Sequence, residues 1–140
     1  MGFSEAVRSA FSKYATFSGR ARPAEYWWFV VFNILGNIVT GAIDYSIFGG
    51  YVAQTADGYT IVVQNSPLSG LFSLAIFLPG LSVMVRRLHD VGRSGWWFWI
   101  VLIPVVGFFI LIYWMIRRGD VGDNDYGPDP LGYGSSVPRA

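Results

Sequence analysis

The chain has 140 residues, of which 53% are hydrophobic, 18% aromatic and only 14% charged, with a formal charge of +1. Soluble domains carry roughly 25% charged residues, and so small a net charge gives no electrostatic case for nucleic-acid binding. The lack of cysteine excludes disulfides, thiolate nucleophiles and thiolate metal sites together.

At the amino terminus, FSEAVRSAFSKYATF sets Phe3, Val7, Ala10, Phe11 and Tyr14 at helical spacing against Glu5, Arg8, Ser9, Ser12 and Lys13. This predicts an amphipathic helix within residues 1–19. Its apolar face is too modest to fold alone and it precedes an apolar block, so it is expected at the headgroup boundary with its basic groups toward anionic lipid. A short helix capping the bundle is the other reading. Gly19 suits a left-handed stop, and Pro23 and Glu25 suit the first turn of a new helix.

Three blocks lack Asp, Glu, Lys, Arg and His: Tyr26–Ile43, Leu68–Val85 and Trp96–Ile116, of 18, 18 and 21 residues. A helix rises about 1.5 Å per residue and the hydrocarbon layer is about 30 Å thick, so each block is near spanning length. The sequence therefore predicts an all-α membrane protein, a single domain over 1–140 with membrane helices at 26–43, 68–85 and 96–116. The four basic groups before the first block, and the two blocks after it, argue against a cleaved signal peptide. Tyr26, Trp27 and Trp28 open the first block and Trp96, Trp97 and Trp99 the third, at positions suited to the water–lipid boundary.

Within the first block Asn33, Asn37 and Thr40 recur at helical intervals beside Gly36, and Gly41 and Asp44 continue the stripe. Lipid cannot satisfy amides, so the stripe is expected to pack against another helix, with Ser69, Ser73 and Gly80 as the facing surface. A polar substrate path is the sharper alternative. Residues 44–67 contain no lysine or arginine and include YVAQTADGYTIVVQ, two runs rich in Val, Ile, Thr and Tyr around Asp57-Gly58. These predict a small β-hairpin with a type I′ turn. Two strands alone are marginal, so the hairpin should rest on helix ends or the membrane surface, unless an oligomer extends it.

Basic residues near spans favour the cytoplasm. Arg8, Lys13, Arg20 and Arg22 precede the first block, Arg86, Arg87 and Arg93 occupy the second connection, and the first connection has none. The amino terminus is therefore expected inside and the hairpin outside. The third block admits two paths: one crossing leaves Arg117, Arg118 and Arg139 outside, and doubling back at Pro104–Gly107 keeps every basic residue inside. Charge favours doubling back, but each half would reach only about 12–14 Å. The turn would then leave backbone groups unpaired in mid-bilayer at several kcal/mol each. On that balance one kinked crossing is expected, with a re-entrant third helix as the alternative.

The tail, 117–140, is rich in Gly, Pro and Asp without a hydrophobic period and is expected to be irregular. Asp123, Asp125 and Asp129 could offer oxygens to calcium, but an EF-hand loop needs glycine at its sixth position and a late glutamate. Counted from Asp123, Gly127 comes fifth and no glutamate follows. Ion pairs between these carboxylates and arginines are the expected role, and no metal or other cofactor is implied.

Three stretches stand out: FSGRARPAEYWWF at 17–29, RRLHDVGRSGWWF at 86–98 and GDNDYGPDP at 122–130. Together they resemble the small bacterial inner-membrane family known as domain of unknown function 805, over nearly the whole chain outside the hairpin. The resemblance implies a few-pass protein of the bacterial inner (plasma) membrane. It implies no assigned activity, so it carries over no catalytic residue.

Physically, RRLHDVGR brings Arg86, Arg87, His89, Asp90 and Arg93 to one connection at the membrane surface. Anionic headgroups at about 1 kcal/mol per basic group, or a partner protein, are the expected contacts; a topology signal with Asp90 pairing locally is the blander reading. A non-enzymatic, oligomer-forming or adaptor module follows as the leading functional expectation, its partner a second copy or another membrane protein. A transporter or channel subunit is the alternative, although no acid or base lies within the blocks. An enzyme acting on lipid headgroups would have to use His89 and Asp90 as its acid–base pair.

Overall fold

The computed structural model describes residues 1–132; the end of the tail at 133–140, including Arg139, lies outside the described residues. In chain order the elements are α1 (Phe3–Ser12), α2 (Pro23–Phe48), β1 (Gly50–Gln54), β2 (Thr60–Gln64), α3 (Pro67–Asp90), a 3-10 helix (Gly95–Leu102) and α4 (Val106–Ile116). The chain divides into two compact units, one of Met1–Val30 with Leu78 onward and one of Val31–Phe77.

Both α2 and α3 are long and apolar enough to cross a membrane, and α4 is a shorter apolar helix. Ile34, Leu35, Ile38 and Val39 of α2, with Leu71, Leu74 and Phe77 of α3, are each more than half exposed. The buried residues, by contrast, include Arg20, Glu25, Asp44, Arg86, Arg87 and Asp90. A soluble fold buries its aliphatic residues and exposes its charges; this distribution is the reverse.

In the unit 31–77 the small and polar stripe of α2 meets α3. A Cβ on Gly36 would stand 2.9 Å from Phe72 Cε2 and closer still to Cζ, so a larger residue there requires the ring to shift. The Asn37 amide donates to the Asn33 carbonyl at 2.9 Å and side-chain oxygen at 2.6 Å, and its own oxygen accepts from the Ser73 hydroxyl at 3.1 Å. Thr40 returns its hydroxyl to the Gly36 carbonyl at 2.8 Å. Asp44, fully buried, accepts the Leu68 and Ser69 N–H groups at 3.0 and 2.8 Å and the Ser69 hydroxyl at 2.8 Å. An α2 carboxylate thus caps the first turn of α3, where amides lack helical partners and negative charge is favoured.

The strands β1 and β2 pair antiparallel from Gly50↔Gln64 to Gln54↔Thr60. Their connection is not the type I′ turn expected at Asp57-Gly58. Gly58 takes a φ of +79°, Asp57 does not share the positive region, and the Gly58 N–H donates to the Thr55 carbonyl at 3.0 Å. A type I′ turn needs positive φ at both central residues; a longer turn started by Thr55 needs it only at glycine.

In the other unit α1 is shorter than the 1–19 expected. It buries Ala6 and Ala10, while Phe3, Phe11 and Tyr14 stay partly exposed. Phe3 meets Trp28 edge to face at 5.9 Å and Phe11 meets Phe29 at 6.1 Å. The Ser82 hydroxyl donates to the Lys13 and Thr16 carbonyls at 2.9 and 2.7 Å, closing the chain just beyond α1.

Residues 96–116 do not form the single kinked helix expected. The 3-10 helix runs to Leu102, the chain reverses through 103–105, and α4 returns against it: the Trp97 and Trp114 rings meet edge to face at 5.7 Å. The objection to a reversal was unpaired backbone at its tip, and local bonds remove most of it. Ile103 N–H donates to Ile100 at 3.0 Å, Gly107 to Ile103 at 3.1 Å and Phe109 to Val105 at 3.1 Å. Val106 N–H donates to Pro104 at 2.7 Å, closing a γ-turn around Val105 at φ 64° and ψ −64°. Pro104 has no N–H to leave unpaired. Gly107 permits the close return, because a Cβ there would lie 2.8 Å from the Ile100 carbonyl carbon and closer still to its oxygen.

Candidate functional site

Because α3 stays helical to Asp90, beyond its apolar block, RRLHD sits on a rigid element. Arg87 and Asp90, three positions apart, share a face and bond through Nη1 and Oδ2. The other Asp90 oxygen accepts Arg20 Nε at 3.0 Å, and Arg86 Nη1 donates to Glu25 Oε1 at 2.8 Å. Every side chain in these pairs is at most 3% exposed. Burying such ions costs several kcal/mol each unless they are paired and fully hydrogen-bonded.

Three guanidinium groups face two carboxylates, and backbone carbonyls supply the remaining acceptors. Arg20 donates to the Asp120, Gly122 and Gly127 carbonyls, the second at 2.6 Å and the third at 3.4 Å. Arg87 donates to Trp114 at 3.0 Å, Met115 at 3.3 Å and also Arg117. These are the last carbonyls of α4, the negative end of its dipole, so Arg87 caps the helix that the reversal brings back. Trp27 Nε1 adds a bond to Met115 at 3.1 Å.

The tail closes over this cluster. The Asp120 N–H donates to the Asp90 carbonyl at 2.7 Å, and Gly119 passes so near that a Cβ would stand 2.6 Å from Asp90 Oδ1. Asn124 and Gly127 bond each other in both directions across a tight turn, and the Asn124 amide donates to the His89 carbonyl at 2.9 Å. This turn lays Tyr126 flat on His89, with centroids 4.1 Å apart and planes 6° apart, while His89 Nδ1 meets the Gly19 carbonyl at 3.0 Å. All three charged strings therefore meet, as only the doubled-back path allows.

This geometry revises several expectations. Arg86, Arg87 and Asp90 were expected at the surface as lipid or partner contacts, but they are 1%, 0% and 2% exposed, occupied by ion pairs and carbonyls. His89 is likewise buried. Arg93 is half-buried, its guanidinium 5.5 Å from the Trp97 ring and 5.0 Å from Trp114. Asp123 and Asp125 are exposed and bond no arginine among the described residues; Asp129 accepts the Gly122 and Leu131 N–H groups at 3.0 and 2.9 Å. Asp120, which was not singled out, stands 3.8 Å from Arg117. Tail carbonyls, not the expected carboxylates, hold Arg20, because a carbonyl offers an acceptor without burying a further charge. Arg20 and Glu25 were not singled out as contact residues, although both lie in the string 17–29; their signal is a charge of each sign directly ahead of an apolar block.

Two cavities flank the cluster. One of about 410 Å³ is mostly apolar, bounded by Phe17, Trp96, Phe98 and Trp99 with His89 and Ser94. The other, about 470 Å³, is polar and bounded by Ser9, Lys13, Arg20, Arg22, Glu5 and Glu25 among others. Among the described residues no three His, Cys, Asp or Glu side chains gather to hold a metal ion.

Comparison with known proteins follows the same boundaries. Inner membrane protein YhaH of Escherichia coli K12 is 40% identical over 117 residues, 84% of this chain and 88% of its own length. Inner membrane protein YhaI of the same strain is 38% identical over 123 residues, 87% of this chain and 92% of its own. No solved structure matches the chain. The family described as protein of unknown function (DUF805) matches residues 14–128, a range holding the entire cluster and the turn that closes it, and the chain belongs to that family.

Proposed function

We propose that the chain is a multi-pass inner-membrane module without catalytic chemistry of its own, whose cytoplasmic end engages anionic lipid and a partner membrane protein or second copy. In this reading α2 and α3 cross the membrane, the 3-10 helix and α4 enter and return, and α1 lies in the headgroup layer. The amino terminus and the tail are both cytoplasmic, and the hairpin is outside. The observation that carries it is the distribution of charge: every lysine and arginine falls in the unit made of Met1–Val30 with Leu78 onward, and none in Val31–Phe77. That asymmetry is the one that orients membrane proteins, and the return of α4 to Arg87 removes the exported arginines that a single crossing requires.

The non-enzymatic reading is supported by the state of the candidate acid–base pair. Asp90 already accepts from two arginines, and His89 has Tyr126 stacked on its face and the Gly19 carbonyl at Nδ1. A transport path along the α2 stripe is disfavoured, because its polar groups bond one another and α3. For the same reason assembly with a partner uses other surfaces than this stripe. Reporters active on only one face of the membrane, fused to each end, test the topology: both are expected to report cytoplasm, and a periplasmic signal from the carboxyl end would refute it.

A further inference from the structure

The polar cavity beside α1 carries positive charge that the protein does not match. Arg22 donates Nε to the Pro130 carbonyl at 2.8 Å, but its two terminal nitrogens have no partner among the described residues. Lys13 is exposed, and its ammonium likewise bonds nothing among them. At the wall, Arg20 shares the single Asp90 carboxylate with Arg87, so this trio keeps an excess of one positive charge. The two acidic walls are partly engaged: Glu25 accepts from Arg86 and from the Ser9 hydroxyl at 3.1 Å, and Glu5 accepts the Gly2 N–H at 3.0 Å.

A second observation concerns Arg86. It is 1% exposed, yet its Nε and Nη2 are buried with no hydrogen-bond partner among the described residues. Unsatisfied buried donors on a permanent cation are costly. The carboxylate that Arg86 holds, Glu25, is itself a wall of the cavity, so the two unsatisfied donors belong to the side chain paired with that wall. A cavity with two cations at its edge that no carboxylate pairs among the described residues, and with Arg20 sharing its one carboxylate at the wall, is suited to an anion.

We propose that this cavity binds the phosphate of an anionic phospholipid headgroup, with Lys13 and the free end of Arg22 as the contacting cations and Arg20 as fixed charge. The inference rests on the reading that this end of the protein lies in the cytoplasmic headgroup layer. Lipid is favoured over a soluble phosphate because α1 and the turn that follows it, which supply Ser9 and Lys13, also present Phe3, Phe11 and Tyr14, each about two-fifths exposed, where acyl chains can lie. A charged pocket beside apolar surface suits an amphiphile.

The test uses the full chain in mild detergent and native mass spectrometry with dioctanoyl phosphatidylglycerol, dioctanoyl phosphatidylcholine and inorganic phosphate as probes. Phosphatidylglycerol is expected to bind one per chain, and Lys13→Gln and Arg22→Gln are each expected to weaken it several-fold, since a basic group near a membrane contributes about one kcal/mol. Arg8→Gln, on the same helix but outside the cavity, is expected to leave binding unchanged. Equal binding of phosphatidylcholine, or binding unaffected by both cavity substitutions, overturns the proposal. Inorganic phosphate displacing the lipid overturns the lipid as occupant and leaves a soluble phosphate in its place. Arg22→Gln also gives up charge beside the tail, so Lys13→Gln, whose ammonium bonds nothing among the described residues, decides the matter should Arg22→Gln fail to fold. Failure here leaves the reporter result standing, and a periplasmic amino terminus would refute the topology without altering binding in detergent.

Discussion

Replacing Asp90 with asparagine keeps the side-chain shape and one carbonyl acceptor while removing the charge that Arg20 and Arg87 share. Both pairs are buried, with side chains no more than 2% exposed. Removing one partner of a buried ion pair typically costs about 3–5 kcal/mol. Here each guanidinium retains carbonyl acceptors, three for Arg20 and three for Arg87. The expected loss therefore lies at the low end, about 3 kcal/mol, a fall of roughly 10 °C in melting temperature for a chain of this size. Thermal unfolding in detergent, followed by tryptophan fluorescence, measures it, because Trp97 and Trp114 lie where the 3-10 helix meets α4. The tail should also become open to limited proteolysis. Arg117→Gln is the control: its pair with Asp120 spans 3.8 Å with both side chains more than a third exposed, so less than about 1 kcal/mol is expected. An Asp90→Asn protein melting within a degree or two of the control, with its tail still protected, would refute a structural role for the cluster.

Gly107→Ala sets a methyl against the Ile100 carbonyl, and since both sides are backbone neither can swing away; α4 must separate from the 3-10 helix, at about 1–3 kcal/mol, read as a lower melting temperature. Val105→Gly acts in the opposite direction: positive φ strains a β-branched residue by about 1–3 kcal/mol, more than the roughly 0.5–1 kcal/mol that glycine loses in chain entropy. Its melting temperature should hold or rise, and a clear fall would show that the γ-turn is not strained. Replacing Asn33 and Asn37 together by leucine removes the contact with Ser73, worth about 0.6 kcal/mol per interhelical bond. Light scattering in detergent should show an unchanged oligomeric state, because the stripe is occupied within the chain.

The apolar blocks were legible because their signal is local: length and absence of charge place α2 and α3 without reference to any partner. The stripe of Asn33, Gly36, Asn37 and Thr40 was legible for the same reason, as its spacing already puts those residues on one face. The path of the third block was not. What decides it is Arg87 meeting the end of α4 and Arg20 meeting Gly122, 102 positions away, and neither pairing leaves a periodic trace. RRLHD was misplaced on the surface for a related cause. Basic residues beside a span look solvated until their acceptors are known, and most of those acceptors are backbone carbonyls, which every sequence contains and none advertises. The turn at 55–59 failed differently: Asp-Gly permits type I′ geometry but does not compel it.

Arg20 is synthesised at least 100 residues ahead of three of its acceptors. Until they are made it is a bare cation beside the first apolar segment, and in the proposed topology it helps to hold that end of the chain against translocation. Only when Asp120, Gly122 and Gly127 arrive can it be drawn inside. In the proposed topology one arginine is first an orientation signal and afterwards a latch, and a chain cut short before Gly122 would be left open at this end.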